Sequence, residues 1–416
     1  MRIRTAGVVA VMTLALAAAG ACGNNSDKAK TDNKAKANGG TLVIWADDKR
    51  TAALKPFADK FGKELGVTIE VDAISKDLQT NFVTASQSGK APDIVVGAHD
   101  WIGNLVQNGA IDPIQLSEQQ KAAFSDIALK GVTFNGQIYG VPYAVENIAL
   151  IRNTALAPNA PSTIEDLVAT GKQLKSAGKV SEIMALQVGQ NGDAYHIYPL
   201  YTSGGGYLFG TKPNGDYDPK DLGVGKPESV AAFKKIAALG EKGAGALKRS
   251  IDDKNAISTF TSGKTAFLIS GPWALTDIKK ANIKYDITPV PGFAGGKPAQ
   301  PFVGVQAFYV ASKGKNKTAA QEFVANYLTR PELQTALYQA EPRPPALTAS
   351  LDQVKSSDPD VQKFLDAGKN GVILPAIPEM AAIWDPFGKA EAAVVGGADP
   401  QSTVTAAAKT IAGSIK

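Results

Sequence analysis

The chain has almost none of the residues that build disulfides, zinc sites or histidine-based catalysis. There is one cysteine in 416 residues, Cys22, so no intrachain disulfide can form. There are two histidines, His99 and His196, and no His/Cys cluster at metal-ligand spacing, so neither a metal nor a cofactor is expected. A G-x-S-x-G nucleophile elbow is absent. Gly263-Lys264-Thr265 looks like the end of a phosphate-binding loop, but Ser258 stands where that loop needs its first glycine. Gly204-Gly205-Gly206 lacks the strand-GxGxxG-helix setting of a dinucleotide site and reads as a turn. Beyond the N-terminus no apolar stretch is long and uncharged enough to span a bilayer.

A concentrated charge of one sign is missing too. Arg2, Arg4 and the excess of Lys28, Lys30, Lys34 and Lys36 over Asp27 and Asp32 carry four of the five net positive charges. Residues 41–416 are left with +1. Nucleic-acid binding needs a concentrated basic face, so no nucleic-acid partner is expected; a nearly neutral body suits a neutral ligand. What the N-terminus does have is a basic start followed by a short apolar run, Ala6 to Ala19, the pattern of a secretory signal over residues 1–21. Ala19-Gly20-Ala21-Cys22 resembles a bacterial lipobox, whose cysteine is acylated after cleavage, although Ala19 stands where that motif more often has Leu. Residues 23–40 carry no aromatic or large aliphatic side chain and cannot offset their ordering entropy by burial. Residues 22–40 are therefore expected to be a lipidated cysteine and a disordered tether, holding an extracytoplasmic protein at the cell membrane.

The remaining chain, about 375 residues, is a natural size for two domains. Thr41–Trp45 is a β-branched apolar run, 52–65 has apolar residues at helical spacing ending at Gly66, and Val67–Val71 is again strand-like. A helix over 76–88 and a strand over Asp93–Val96 complete the alternation of an open α/β sheet. Strands are predicted at Ile138–Tyr143, Ala149–Arg152, Thr265–Ile269 and Phe302–Ala311. Helices are predicted near 163–177, 195–203, 227–242, 253–262, 317–328 and 331–339, with a mostly helical C-terminal part after the cluster Pro342, Pro344, Pro345.

Three of the four tryptophans sit beside polar or loop-forming residues: His99-Asp100-Trp101, Gly271-Pro272-Trp273 and Ile383-Trp384-Asp385. A neutral sugar offers C–H faces that stack on aromatic rings and hydroxyls that bond carboxylates and amides, so such neighbourhoods suit it. Trp45, inside an apolar strand, reads as core.

Across residues 41–416 the chain resembles the maltose/maltodextrin-binding proteins, the extracytoplasmic solute-binding components of sugar ABC importers. The resemblance rests on an ordered set of short matches: Leu42-Val-Ile-Trp45, Ala91-Pro-Asp-Ile94, Ala98-His-Asp100, Tyr139-Gly-Val-Pro142, Ala144-Val-Glu146, Gly263-Lys-Thr-Ala266, Gly271-Pro-Trp273, Pro301-Phe-Val-Gly-Val305, and Pro375-Ala-Ile-Pro378 with Trp384. It implies a type II, two-lobed periplasmic-binding-protein fold of α/β class, with a hinge and an interlobe ligand cleft. One lobe would be 41–145 plus 305–347 and the other 149–301 plus 348–416, joined by crossings near 144–149, 301–306 and 345–350. It further implies no catalysis, an oligosaccharide ligand, a membrane permease as partner, and a monomer.

Carried over position by position, the resemblance implies that Asp48 and Lys49 bond sugar hydroxyls. Asp47 shares that role because the loop is one residue shorter here. Asp100 and Glu146 match ligand carboxylates, Tyr195 a stacking tyrosine, and Trp273 and Trp384 stacking tryptophans. Asp193 lies near a family glutamate in a longer loop, 187–194. Three positions depart from the family: Gly97 replaces an aromatic residue, Trp101 an arginine, and Gly388 a binding arginine. Trp101 is the candidate to compensate for Gly97. The departures leave open trehalose, a cyclodextrin or a β-linked oligosaccharide as ligand. A secreted glycosidase would need a positioned acid/base pair, for which Asp47/Asp48 is a nominal match.

Overall fold

The computed structural model describes residues 40–415; the signal segment, Cys22 and residues 23–39 lie outside the described residues. The chain has the mixed α/β character expected from its sequence. β1 (Thr41–Ala46), α1 (Asp48–Leu65), β2 (Thr68–Ala73), α2 (Leu78–Gln87) and β3 (Ile94–Ala98) follow the predicted alternation, with β1 central and parallel to both neighbours. α1 ends where Gly66 takes a left-handed φ of 77° and donates its N–H to the Gly62 carbonyl. No helix among the described residues is long and apolar enough to cross a membrane.

Strand Phe302–Val310 extends this sheet by pairing antiparallel with β3 on one side and with Gly140–Glu146 on the other. It is buried at all nine positions. A second, four-stranded sheet has the order Tyr285–Thr288, Ala149–Asn153, Phe267–Ser270, Ala185–Leu186. Where the predicted strand Ile138–Tyr143 was expected, the chain is divided. Gln137–Ile138 closes a hairpin on Thr133–Phe134, and Gly140–Glu146 begins a separate strand. The hairpin turns on Asn135 and Gly136, both at positive φ (49° and 76°), the conformation that an Asn-Gly turn favours.

The apolar side chains gather in three clusters. One draws on residues 42–145 and 303–347. A second draws on 148–302 and 374–411, and a third on 149–287 with Phe364 and Ala367. Between Val145 and Ile148, and between Phe302 and Val303, the chain passes from one cluster to another. These passages lie side by side: Gly304 is opposite Glu146, and the Val145 N–H donates to the Pro344 carbonyl at 2.8 Å.

Phe308 is fully buried in the strand that joins these parts and meets Tyr143 edge-on at 5.5 Å. Phe308→Ala is expected to cost about 3–5 kcal/mol, the usual range for an emptied aromatic site, read as a lowered urea midpoint; an unchanged midpoint would contradict this packing.

Candidate functional site

The polar centre of the site begins at the turn between β1 and α1. Asp47 is the N-cap of α1, and its Oδ1 accepts the Arg50 N–H at 2.8 Å. One turn into the helix, the Arg50 guanidinium folds back onto the Asp47 carboxylate and the Tyr143 hydroxyl, and donates to Gln306 Oε1 at 3.0 Å. Gln306 Nε2 donates to Glu146 Oε1 at 2.9 Å. The other Glu146 oxygen accepts from Arg343, which also pairs with Glu341, and Lys49 reaches Glu341 at 3.2 Å. Burial alone would raise the Glu146 pKa, but Arg343 and Gln306 outweigh it and hold the carboxyl below its ordinary range. Asp48 stands outside this chain of contacts, exposed and bonded to the Ser75 hydroxyl at 3.1 Å.

The aromatic residues lie alongside. The Arg343 guanidinium carbon is 5.2 Å from the Trp273 ring centroid, and Trp273 is 6.3 Å from Tyr195. Tyr195 stacks on Phe302 at 6.0 Å, and Trp384 meets Phe302 edge-on at 6.2 Å. The Tyr195 hydroxyl is buried without a protein partner. Trp273 folds back over Gly271, and Trp101 folds back over Gly97, so that a side-chain carbon on either glycine would collide with the indole. The Gly97 and Trp101 departures are thus one exchange: the tryptophan fills the space that a residue at 97 would occupy. Trp101 lines a cavity of about 270 Å³ together with Asp47, Arg50, Gly97 and Gln306.

Two further positions are set by local packing. Asp193 was carried over as a ligand residue, but it caps helix Ala194–Ser203, accepting the Tyr195 and His196 N–H groups at 3.1 and 2.9 Å and a bond from Gln187. Burial opposes its ionisation, yet His196 and these donors prevail and bring its pKa down to about 2. Its own N–H donates at 2.6 Å to Glu391, a fully buried carboxyl pushed well above its ordinary pKa by burial and then by Asp193. The structure gives Asp193 a capping role, as it gives Asp47 at the start of α1. Gly388, where an arginine was expected, lies against the backbone of Asn191 and Gly192. The longer 187–194 loop occupies the space a side chain there would need.

Sequence reasoning missed Arg50, Tyr143, Gln306, Glu341 and Arg343. Signals existed for three of them. Gln306 is the lone amide in the apolar run 302–311, Arg50 is one helical turn from Asp47, and Arg343 sits within the Pro342, Pro344, Pro345 cluster. Among the described residues no group of three or more His, Cys, Asp or Glu side chains is placed to hold a metal ion.

His99 and Asp100, adjacent at the end of β3, titrate in opposite senses. Buried His99 accepts the Val305 N–H at Nδ1 (3.0 Å), which leaves Nε2 to donate to the Leu374 carbonyl at 2.8 Å. Burial brings its pKa down to about 4. Burial pushes Asp100 up to about 7, against its own backbone N–H and a hydrogen bond from Trp384. Acidification from about pH 7 to about pH 4 thus protonates the unfolded chain at His99, which destabilises the fold. The folded protein meanwhile holds a proton on Asp100 that the unfolded chain lacks, which stabilises it. Asp100→Asn removes only the second effect. The variant should lose stability relative to the parent by up to about 1.4 kcal/mol per pH unit as pH falls through that window; parallel stability profiles from pH 4 to pH 7 would refute it.

Residues 56–363 match the model of the bacterial extracellular solute-binding protein family. Similar proteins include a galactooligosaccharide-binding protein of Bacillus subtilis, 27% identical over 98% of this chain and 96% of its own length. A maltooligosaccharide ABC transporter solute-binding lipoprotein of Streptococcus pneumoniae is 28% identical over 92% of this chain and 90% of its own. A maltotriose-binding protein of Pyrococcus abyssi is 26% identical over 84% and 76%. The match over most of the described chain establishes that this protein belongs to the bacterial extracellular solute-binding protein family.

Proposed function

We propose that the protein captures a neutral oligosaccharide outside the cell membrane and delivers it to the permease of an ABC importer, without transforming it. The observation that carries this reading is the juxtaposition of three aromatics near helix starts, Tyr195, Trp273 and Trp384, with a charge-balanced polar array. Stacking faces and fixed hydroxyl partners are what a sugar needs, and mutually paired charges offer little to an ionic ligand. The array runs Asp47–Arg50–Gln306–Glu146–Arg343–Glu341–Lys49. The names of the relatives agree with a sugar ligand of the maltodextrin type, and one of them favours a galactooligosaccharide as the second reading.

Binding is proposed to use a two-lobed hinge, with lobes 41–145 plus 305–347 and 149–301 plus 348–416. The separate apolar clusters and the side-by-side passages near 145–148 and 302–303 support this division. Arg343, in the other proposed lobe, covers Trp273 with its guanidinium carbon 5.2 Å from the ring centroid. A sugar reaches those aromatic faces only if the lobes part. Asp47, Asp48, Lys49, Asp100, Trp101, Glu146, Asp193, Tyr195, Trp273 and Trp384 are proposed as the ligand-facing set. Acylation at Cys22 is proposed as the membrane anchor, supported by the small residues before it and by the lipoprotein designation of the pneumococcal relative.

Titration of the protein with maltose, maltotriose, trehalose, cellobiose and galactobiose, followed by calorimetry and tryptophan fluorescence, should show saturable binding of an α-glucan or a galactoside with the sugar recovered intact. Trp273→Ala and Trp384→Ala should each weaken that binding by about 1–3 kcal/mol. Hydrolysis by pure protein, or wild-type affinity in both variants, would sink the reading. Separately, Cys22→Ser should move the protein from the membrane fraction to the soluble fraction of the producing cells; unchanged membrane retention would rule out anchoring at this cysteine.

A further inference from the structure

Glu391 has no exposed surface, so no ligand touches it, yet its carboxyl is joined to the candidate site. Its Oε2 accepts the Asp193 N–H at 2.6 Å, and its Oε1 has no protein partner. The residue belongs to helix Trp384–Val395, where Trp384, Gly388 and Glu391 follow at i, i+4 and i+7 and so share one face.

That face meets the 187–194 loop in two places. At Gly388 the loop backbone comes so close that a side-chain carbon on Gly192 would strike the Gly388 carbonyl. One turn further on, Glu391 holds the Asp193 N–H. A backbone N–H turned into the fold needs an acceptor, and none comes from helix Ala194–Ser203, because Asp193 stands before its first turn. Asp193 in turn caps that helix through the Tyr195 and His196 N–H groups. Tyr195 and Trp384, at the starts of the two helices, pack on Phe302 at 6.0 and 6.2 Å. One hydrogen bond thus links the helix that begins at Trp384 to the turn that carries Tyr195.

We infer that Glu391 is a positioning residue for ligand binding: by holding the Asp193 N–H, it fixes the spacing of the Tyr195 and Trp384 rings without touching the sugar. This rests on the oligosaccharide reading above and deepens it. What the position requires is an acceptor, not a charge. Burial, and then the Asp193 carboxylate, push the Glu391 pKa well above the ordinary carboxylate range, which favours the neutral acid. His196 faces the pair only through Asp193, with Nδ1 3.1 Å from its Oδ1. Among the described residues, no charged group of Pro227–Leu239, Pro378–Ala382 or Pro400–Ser414, the other segments packed on this helix, acts on Glu391.

Wild type, Glu391→Leu and Glu391→Gln are to be titrated calorimetrically with maltose, maltotriose, trehalose, cellobiose and galactobiose. Leucine fills the space but leaves the Asp193 N–H without an acceptor, so affinity for whichever sugar binds is expected to fall about tenfold or more. Glutamine restores the acceptor without a charge and should bring affinity back to within about threefold of wild type. Wild-type affinity in Glu391→Leu, or an equal loss in Glu391→Gln, overturns the inference. Should Glu391→Leu fail to fold, the affinity profiles of wild type and Glu391→Gln from pH 6 to pH 10 decide. Wild-type affinity should fall relative to Glu391→Gln as rising pH ionises the acid beside Asp193; parallel profiles overturn the positioning role. A wild type silent toward every sugar overturns the oligosaccharide reading itself, and this inference with it.

Discussion

Strand Phe302–Val310 is the element on which the rest of the molecule depends. It begins beside Phe302 in the cluster that carries Tyr195, Trp273 and Trp384, and it ends in the cluster built on β1 to β3. Because all nine residues are buried, its backbone polar groups must be paired within the protein. They are, by β3 and Gly140–Glu146 on its two sides, by His99 at Val305, and by Val372–Ile373 near its start. A strand so pinned cannot slide by one residue without turning its whole pattern inside out. It therefore sets where Gln306 points and where Gly304 leaves room for Glu146.

Into that fixed frame the sequence places buried charges, and these stand only as a set. Glu146 alone would be costly at 7% exposure; with Arg343 and Gln306 it is held as a carboxylate. Arg50 is likewise tolerable because Asp47, Tyr143 and Gln306 all meet it. Removing any one partner leaves another charge short of bonds, so single substitutions here carry a stability cost mixed with any loss of binding. Affinity differences between ligands measured on one variant separate the two, since the cost to the fold is common to all of them.

Much of the frame was legible in the sequence because it rests on local rules. β-branched runs, helical spacing and Gly66 gave β1, α1, β2 and β3 to within two residues at every end except the start of α1, which lies four residues earlier than expected, and the family resemblance drew attention to Trp273, Trp384, Asp100 and Glu146. What escaped notice was set by contacts between residues far apart in sequence. Arg50 meets Gln306 across 256 positions, and Arg343 meets Glu146 across 197. No periodicity encodes such pairs. Asp193 illustrates a different limit. A carboxylate just before a helix can face a ligand or cap the helix, and only the geometry shows that the N–H groups of Tyr195 and His196 claim it. The Asn135-Gly136 hairpin was a plain omission, since that dipeptide between short apolar runs is a strong turn signal.

The departures at Gly97, Trp101 and Gly388 bear on which sugar is chosen. Stacking on Trp101, Trp273 or Trp384 favours sugars over other solutes but separates one hexose from another weakly, because every pyranose presents a C–H face. Epimers differ in the direction of a single hydroxyl, and a binding site reads that direction only through donors and acceptors that cannot follow it. A buried partner left unsatisfied by the wrong epimer costs about 1–3 kcal/mol, whereas a mobile one reorients at little cost. Gln306 and Asp47 are held by Arg50, and Glu146 by Arg343 and Gln306, so these are the groups with the rigidity to discriminate. Asp48 and Lys49 lie exposed at the rim and lack it. In the proposed site, the choice between an α-glucan and a galactoside would therefore rest with the arginine-braced array more than with the tryptophans that first drew attention to it.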